Sequence, residues 1–327
     1  MKILVTGSSG HLGEALVRTL RDFGNEVIGI DVKASAFTST VGSVTDRPCV
    51  RDCIGGVETV YHAATLHKPH VATHSMQEFV DTNVSGTLTL LEEVVAAGVK
   101  TFVFTSTTSM FGDALRPPAG TPAAWVTEDI KPIPKNIYGT TKTAAEDLCH
   151  LFYRKHRLNC IILRTSRFFP EEDDEKSKRE SYEDNNSKAN EFLFRRVELE
   201  DVVSAHILAN NRAAELGFGR YIISATTPFL PEDLLELNTN AQNVVRKRVP
   251  HYLDIYNQRG WKMFDKIDRV YVNEAARRDL GWKPKYDFAH ILECVREGSY
   301  PRSPISKLVG SKGYHNQLFE DGPYPTK

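Results

Sequence analysis

Gly7-Ser8-Ser9-Gly10-His11-Leu12-Gly13 is the stretch that decides the fold. It follows Lys2–Thr6, a short run that reads as a buried strand. It opens His11–Phe23, where Leu12, Leu16, Val17 and Leu20 fall on one helical stripe. Alone, a G-x-x-G-x-x-G spacing is weak; between a strand and a helix it marks a dinucleotide-binding turn. Gly7 permits the tight turn. Gly10 lets a pyrophosphate approach backbone amides at the helix N-terminus, where the dipole favours anions. Gly13 lets helix and strand pack closely. Asp31 ends the next strand, Glu26–Ile30, and a carboxylate there binds ribose hydroxyls and repels a 2′-phosphate. NAD is the expected cofactor; Lys33 keeps NADP as the lesser alternative.

Working outward, Thr40–Gly42 reads as a third strand, Glu58–His62 as a fourth, Thr101–Thr105 as a fifth and Cys160–Leu163 as a sixth. Met76–Ala97, ended by Gly98, and Asn136–Lys155 read as helices. Strands alternating with helices imply an α/β, Rossmann-type doubly wound parallel sheet, covered on both faces. Arg116–Pro134, rich in Pro and Gly, reads as a surface loop. Glu171–Asp184, with eight acidic and three basic residues, reads as a mobile excursion. Helical periodicity resumes at Asp201, a strand is expected at Arg220–Ser224, and helices follow to Glu297. Residues 1–165 are thus expected to form the dinucleotide-binding domain, completed by about 195–224. A smaller C-terminal substrate-binding lobe takes 166–194 and 225–300, and 301–327 is a tail that wraps the surface and could bring an aromatic to the site.

At 327 residues the chain can bury a sizeable core, and 41% hydrophobic with 25% charged residues is ordinary for a globular protein. A net charge of -1 gives no basic field for nucleic acid or an anionic membrane. No apolar stretch is long enough for a membrane span. The N-terminus does not read as a signal peptide. Five cysteines without zinc-ribbon spacing suggest reduced thiols and a cytoplasmic setting.

Tyr138-Gly139-Thr140-Thr141-Lys142 is Y-x-x-x-K at the start of an expected helix, so both side chains share a face. Such a pair is often mere surface. After a dinucleotide turn and a strand followed directly by Ser106-Thr107-Thr108, it reads as chemistry. A free phenol is a poor base at neutral pH, but a neighbouring ammonium favours the phenolate. Tyr138 can then exchange a proton with a substrate hydroxyl while the Thr107 hydroxyl holds the reacting oxygen.

Taken together, these motifs resemble the extended short-chain dehydrogenase/reductase superfamily, specifically its NAD-dependent epimerase/dehydratase family. Further carriers are Val60-Tyr61-His62-Ala63-Ala64, Asp81-Thr82-Asn83-Val84-x-Gly86-Thr87, Glu200-Asp201-Val202-Val203 and Leu280-Gly281-Trp282-x-Pro284. The resemblance implies Thr107, Tyr138 and Lys142 as the catalytic triad, with Lys142 also on the nicotinamide ribose. It implies that Ala63 and Ala64 line the cofactor groove and that Ser43 and Val44 border the adenine. Ser9, His11, Leu12, Val32, His62, Thr105 and Phe168 complete the expected cofactor set. It also implies a homodimer through the helices Met76–Ala97 and Asn136–Lys155. Their apolar stripes (Leu88, Leu91, Val95; Ala145, Leu148, Phe152) fit that role and ordinary core equally.

Departures from the family pattern narrow the chemistry. Thr108 and Ser109 stand where family dehydratases carry an Asp-Glu pair, which argues against sugar dehydration. The arginine with which nucleotide-sugar enzymes grip the diphosphate falls on Phe194. Leu163-Arg164-Thr165-Ser166-Arg167-Phe168-Phe169-Pro170 is similar to the corresponding segment of uronate dehydrogenases, in which a cleft arginine holds the substrate carboxylate. Arg167 is the candidate for that role, since a guanidinium matches a carboxylate or phosphate with paired hydrogen bonds. Arg164 reads equally as an internal ion-pair partner. His67, His70 and His74 tempt a metal reading, but Pro69 interrupts the helix it would need, and no metal is expected. His67 and Thr108 are placed with Thr107 and Arg167 at the substrate.

The expectation is an NAD-dependent oxidoreductase or epimerase acting on a secondary alcohol or ketone of a sugar or nucleotide sugar. Two rivals stay open. One is a dehydrogenase of a free sugar acid or other small hydroxy compound; the other is a regulatory protein that senses NAD(H) without turnover.

Overall fold

The computed structural model describes residues 1–118, 120–313, 315, 319 and 322. Tail residues 314, 316–318, 320–321 and 323–327, including the aromatic Tyr314, lie outside the described residues.

The chain runs β1 (Lys2–Thr6), α1 (His11–Asp22), β2 (Glu26–Asp31), β3 (Thr40–Val41), α2 (Arg47–Ile54), β4 (Thr59–His62), α3 (Met76–Val80), α4 (Gly86–Ala96) and β5 (Thr101–Thr107). It continues through β6 (Ala124–Val126), α5 (Ile137–His156), β7 (Asn159–Thr165), α6 (Lys176–Ser181), α7 (Asp184–Glu191), α8 (Leu199–Leu216) and β8 (Phe218–Ile223). The rest is α9 (Leu234–Leu237), α10 (Ala241–Arg248), α11 (Tyr252–Arg259), β9 (Arg269–Tyr271), α12 (Glu274–Asp279), α13 (Phe288–Glu297) and α14 (Pro304–Val309).

Seven parallel strands form one sheet in the order β3-β2-β1-β4-β5-β7-β8. The order reverses at β1, so the C-terminal ends of β1 and β4 open a crevice. In doubly wound sheets such a crevice is where ligands bind. Both faces are buried: Ile3, Val5, Val103 and Ile161 pack with α1 and α8, and Leu4, Val60, Phe102 and Ile162 pack with α2, α4 and α5. A separate core, built on Phe192, Phe194, Val244, Tyr256, Ile267 and Phe288, makes the C-terminal lobe. There β6 pairs with β9 in parallel, so the expected loop Arg116–Pro134 contains a strand. Its partner lies far along the chain, beyond the reach of local composition.

The expected helix Met76–Ala97 is interrupted. Between α3 and α4, Asp81–Ser85 forms a π-helical turn. This insertion turns Asn83 inward, where Oδ1 accepts from Leu66 N at 2.9 Å and Nδ2 donates to Thr141 Oγ1 at 3.0 Å. The β4–α3 loop is thereby fastened to α5. The two helical stripes considered as a dimer face point inward. Leu91, Ala145 and Phe152 are core, and Leu88, Val95 and Leu148 pack on the same cluster. Among the described residues no helix is long and apolar enough to cross a membrane.

The acidic stretch Glu171–Asp184 is no free excursion. It folds into α6 and runs into α7, with Asp173 and Asp174 buried. Arg167 from just before the stretch, with Arg195 and Lys68 from elsewhere along the chain, supplies the countercharge.

Candidate active site

An open cavity of about 2070 Å³ lies at the C-terminal edge of the sheet. Its walls bring together Gly7, Ser9, Gly10, His11, Leu12, Gly13, Asp31, Val32, Ser43, Val44, Ala63, Ala64, Thr105 and Phe168 with Thr107, Thr108, Tyr138, His67 and Arg167.

The turn is shaped for close approach. Gly7 has φ +72°, and a Cβ on it would lie 2.8 Å from Ala64 N. A Cβ on Gly13 would lie 1.9 Å from Gly7 O. Gly10 precedes α1 as its N-cap and offers no side-chain cap, so first-turn amides are left to a ligand. The Asp31 carboxylate accepts from Ser9 N at 3.0 Å and Lys33 N at 2.9 Å. A carboxylate has about four lone-pair sites, so acceptor capacity remains for ribose hydroxyls. These features fit a dinucleotide: the turn and Asp31 would hold it, and it would supply the hydride acceptor. We expect Gly13→Ala to destabilise the fold by about 3 kcal/mol through overpacking and to abolish NADH binding. Urea unfolding and a fluorescence titration check both; an unchanged midpoint would contradict the close approach.

Asn136 caps α5, its Oδ1 accepting from Gly139 N at 3.1 Å. This start puts Tyr138 and Lys142 one turn apart against the end of β5. That strand runs on to Thr107, two residues beyond its expected end. Tyr138 and Thr107 line the same cavity, and Thr107 Oγ1 accepts from Ser109 N at 3.1 Å. Burial pushes the Tyr138 phenol up to about 12, while the nearby Thr107 side chain works the other way. Burial also lowers Lys142 to about 7, while Cys149 and Glu146 work to raise it. The Lys142 ammonium donates to Thr105 O at 2.7 Å and sits 3.9 Å from the Phe104 ring centre. It thus lies beneath the cavity wall.

Lys142, expected at the nicotinamide ribose, is thus not among the residues lining the cavity, and two further expected site residues are placed otherwise. His62 is a support behind the wall: it is 1% exposed, at 2.7 Å from Thr6 Oγ1 and 3.0 Å from Thr87 Oγ1. Thr6 Oγ1 in turn accepts from Ala64 N at 3.1 Å, so His62 steadies the groove from the far side. Burial, and next the Lys142 charge, hold its ring well below the usual range, leaving it neutral. Arg167 does line the cavity, but its Nη1 donates to Asp173 at 3.0 Å and Asp174 at 3.3 Å, and its Nη2 to Glu172 O at 3.0 Å. Arg164 is the internal partner of Glu146, at 2.9 Å. His67 stacks on Phe169 and meets His70 edge-on. Among the described residues no group of His, Cys, Asp and Glu could hold a metal.

Among the contributors that escaped the sequence reading are a histidine, a glutamate and three tail residues. His206 bonds Thr105 Oγ1 at 2.8 Å. Glu146 accepts from Ser106 Oγ at 2.6 Å. Lys312, Gly313 and His315 of the tail line the cavity. Only Glu146, one turn beyond Lys142 on the same helical face, carried a usable signal.

The NAD dependent epimerase/dehydratase family model matches residues 3–193. The chain belongs to that family. It is 30% identical over 167 residues to UDP-glucose 4-epimerase of Erwinia amylovora, covering 45% of this chain and 47% of the relative. Sterol demethylase protein B of Methylococcus capsulatus is 34% identical over 154 residues, 45% of each chain. The chain spans about half the length of the curated relatives it matches. In structure it is similar to a short-chain dehydrogenase/reductase superfamily protein of Agrobacterium tumefaciens with bound NAD. The TM-score is 0.63 at 25% identity, over 91% of this chain and 98% of that one.

Proposed function

We propose that the protein is an NAD-dependent oxidoreductase or epimerase that interconverts a secondary alcohol and its ketone on a sugar or nucleotide sugar. The observation that carries this is that Tyr138 and Thr107 line one cavity with the glycine turn and Asp31. NAD, when bound, supplies the place to which the hydride goes. Thr107 fixes the substrate oxygen beside the phenol. Tyr138 gives its proton to a ketone oxygen, or in ionised form takes one from an alcohol. Lys142, whose ammonium is anchored on Thr105 O, favours the ionised form by its charge. Burial alone opposes ionisation of the phenol, so the base depends on positive charge brought close to it. Two-fold pairing through α4 and α5 belongs to the same proposal; it would use their outer surface, where Leu151 is exposed.

The nucleotide-sugar reading is preferred to the free sugar acid because Arg167, the expected carboxylate clamp, is engaged by Asp173 and Asp174. The test is incubation with NAD and panels of nucleotide sugars and uronic acids, following NADH absorbance and product stereochemistry together. A new stereoisomer without accumulating NADH marks an epimerase. Stoichiometric NADH marks a dehydrogenase. Neither, across both panels, would remove the sugar substrate from the proposal.

A further inference from the structure

The tail passes over the turn that opens α1. Helix α14 packs against α1 and α8, and beyond it Ser311, Lys312 and Gly313 converge on one carboxylate oxygen. Glu171 Oε1 accepts from Ser311 Oγ at 2.8 Å, Lys312 N at 3.1 Å and Gly313 N at 3.2 Å. The same oxygen lies 2.9 Å from His11 Nε2. His11 is the first residue of α1, on the glycine turn itself. The Lys312 ammonium then crosses to Glu14 Oε2 at 2.5 Å, in the first turn of α1. Further round the rim, His315 donates from Nε2 to Pro69 O at 2.9 Å.

Both carboxylates are largely out of water, with side chains 7% exposed. Burial, the largest single effect, would raise the Glu171 carboxyl, but His11, backbone amide and Ser311 bonds together outweigh it and keep the group ionised. Charge-assisted bonds of this kind are the strong ones, and a buried carboxylate stripped of its donors is costly. The contacts tie together three pieces of chain that are remote in sequence: the glycine turn, the segment after β7, and the tail. Lys312 and Gly313 face the same cavity as Gly10 and His11.

We propose that Glu171 and Ser311–Gly313 belong to the cofactor site, as a clasp over the diphosphate turn that sets how fast the dinucleotide leaves. The inference rests on the NAD reading of the turn. Its consequence bears on the type of reaction: a held dinucleotide suits chemistry in which hydride is lent and returned on the same enzyme.

The experiment is stopped-flow dissociation of NADH from the full chain, from Glu171→Ala, and from a chain ended after Gly310. Circular dichroism and the thermal midpoint show that each variant is folded. Dissociation is expected to quicken at least about tenfold in both variants, the equivalent of one lost charge-assisted bond. An unchanged rate in either folded variant overturns the clasp. Should the shortened chain not fold, the full-length double variant Ser311→Ala/Lys312→Ala takes its place under the same criterion. Failure of the full chain to bind NADH overturns the cofactor reading and the clasp with it, whereas binding with equal release rates overturns the clasp alone.

Discussion

Tyr138→Phe is expected to lower turnover by about 10³-fold, within the range that a positioned acid–base group contributes, while NADH binds as before. The ring fills the same buried place and loses only the hydroxyl, in the cavity it shares with Thr107. The glycine turn and Asp31, which lie on β1, α1 and β2, are untouched. A steady-state assay on whichever substrate is turned over, beside a fluorescence titration with NADH, separates the two effects. Loss of turnover with binding kept separates an enzyme from a sensor. Undiminished turnover would move the proton transfer to another group.

Glu146→Ala is expected to cost about 3–5 kcal/mol of stability, the range for breaking a buried ion pair by removing one partner. Glu146 is 1% exposed and Arg164 4%. Its carboxylate accepts from Arg164 Nη2 at 2.9 Å and the Ser106 hydroxyl at 2.6 Å, and forms an ion pair with Arg220, whose Nε lies 3.2 Å away. Removing it leaves the buried Arg164 guanidinium with the carbonyl of Glu128 as its remaining acceptor. Urea unfolding measures the loss; a midpoint near that of the parent would mean that water reaches the guanidinium. The same residue joins α5, which carries Tyr138 and Lys142, to the strand residue between Thr105 and Thr107. The site and the fold share this carboxylate.

The sheet and the placement of the site were largely legible from local pattern. Alternating apolar strands and amphipathic helices carry the doubly wound topology, and the glycine turn, Asp31, Thr107 and Tyr138 each announce themselves by type and position. What stayed hidden depends on contacts between distant segments. The charge of Glu171–Asp184 reads as solvated until Arg167, Arg195 and Lys68 are seen to neutralise it. Arg167 reads as a substrate clamp for the same reason, because its carboxylate partners are known only once that stretch is folded against it. The π-helical turn at Asp81–Ser85 adds no unusual residue type, so helical periodicity passes through it unbroken to the eye. His62 stands in a motif next to the cofactor groove, and nothing in the motif tells that its ring turns away to Thr6 and Thr87.

One detail of the floor bears on mutational tolerance. The acceptor for the Lys142 ammonium is the main-chain oxygen of Thr105, a group that every residue type possesses. No codon change at position 105 can delete it, so drift there can alter the contact to His206 and still leave the amine its mooring. Only a change that displaces the end of the strand can cast it loose, and for that reason inactivating replacements around Lys142 should be sought among the residues that pin β5 rather than at its nearest neighbour.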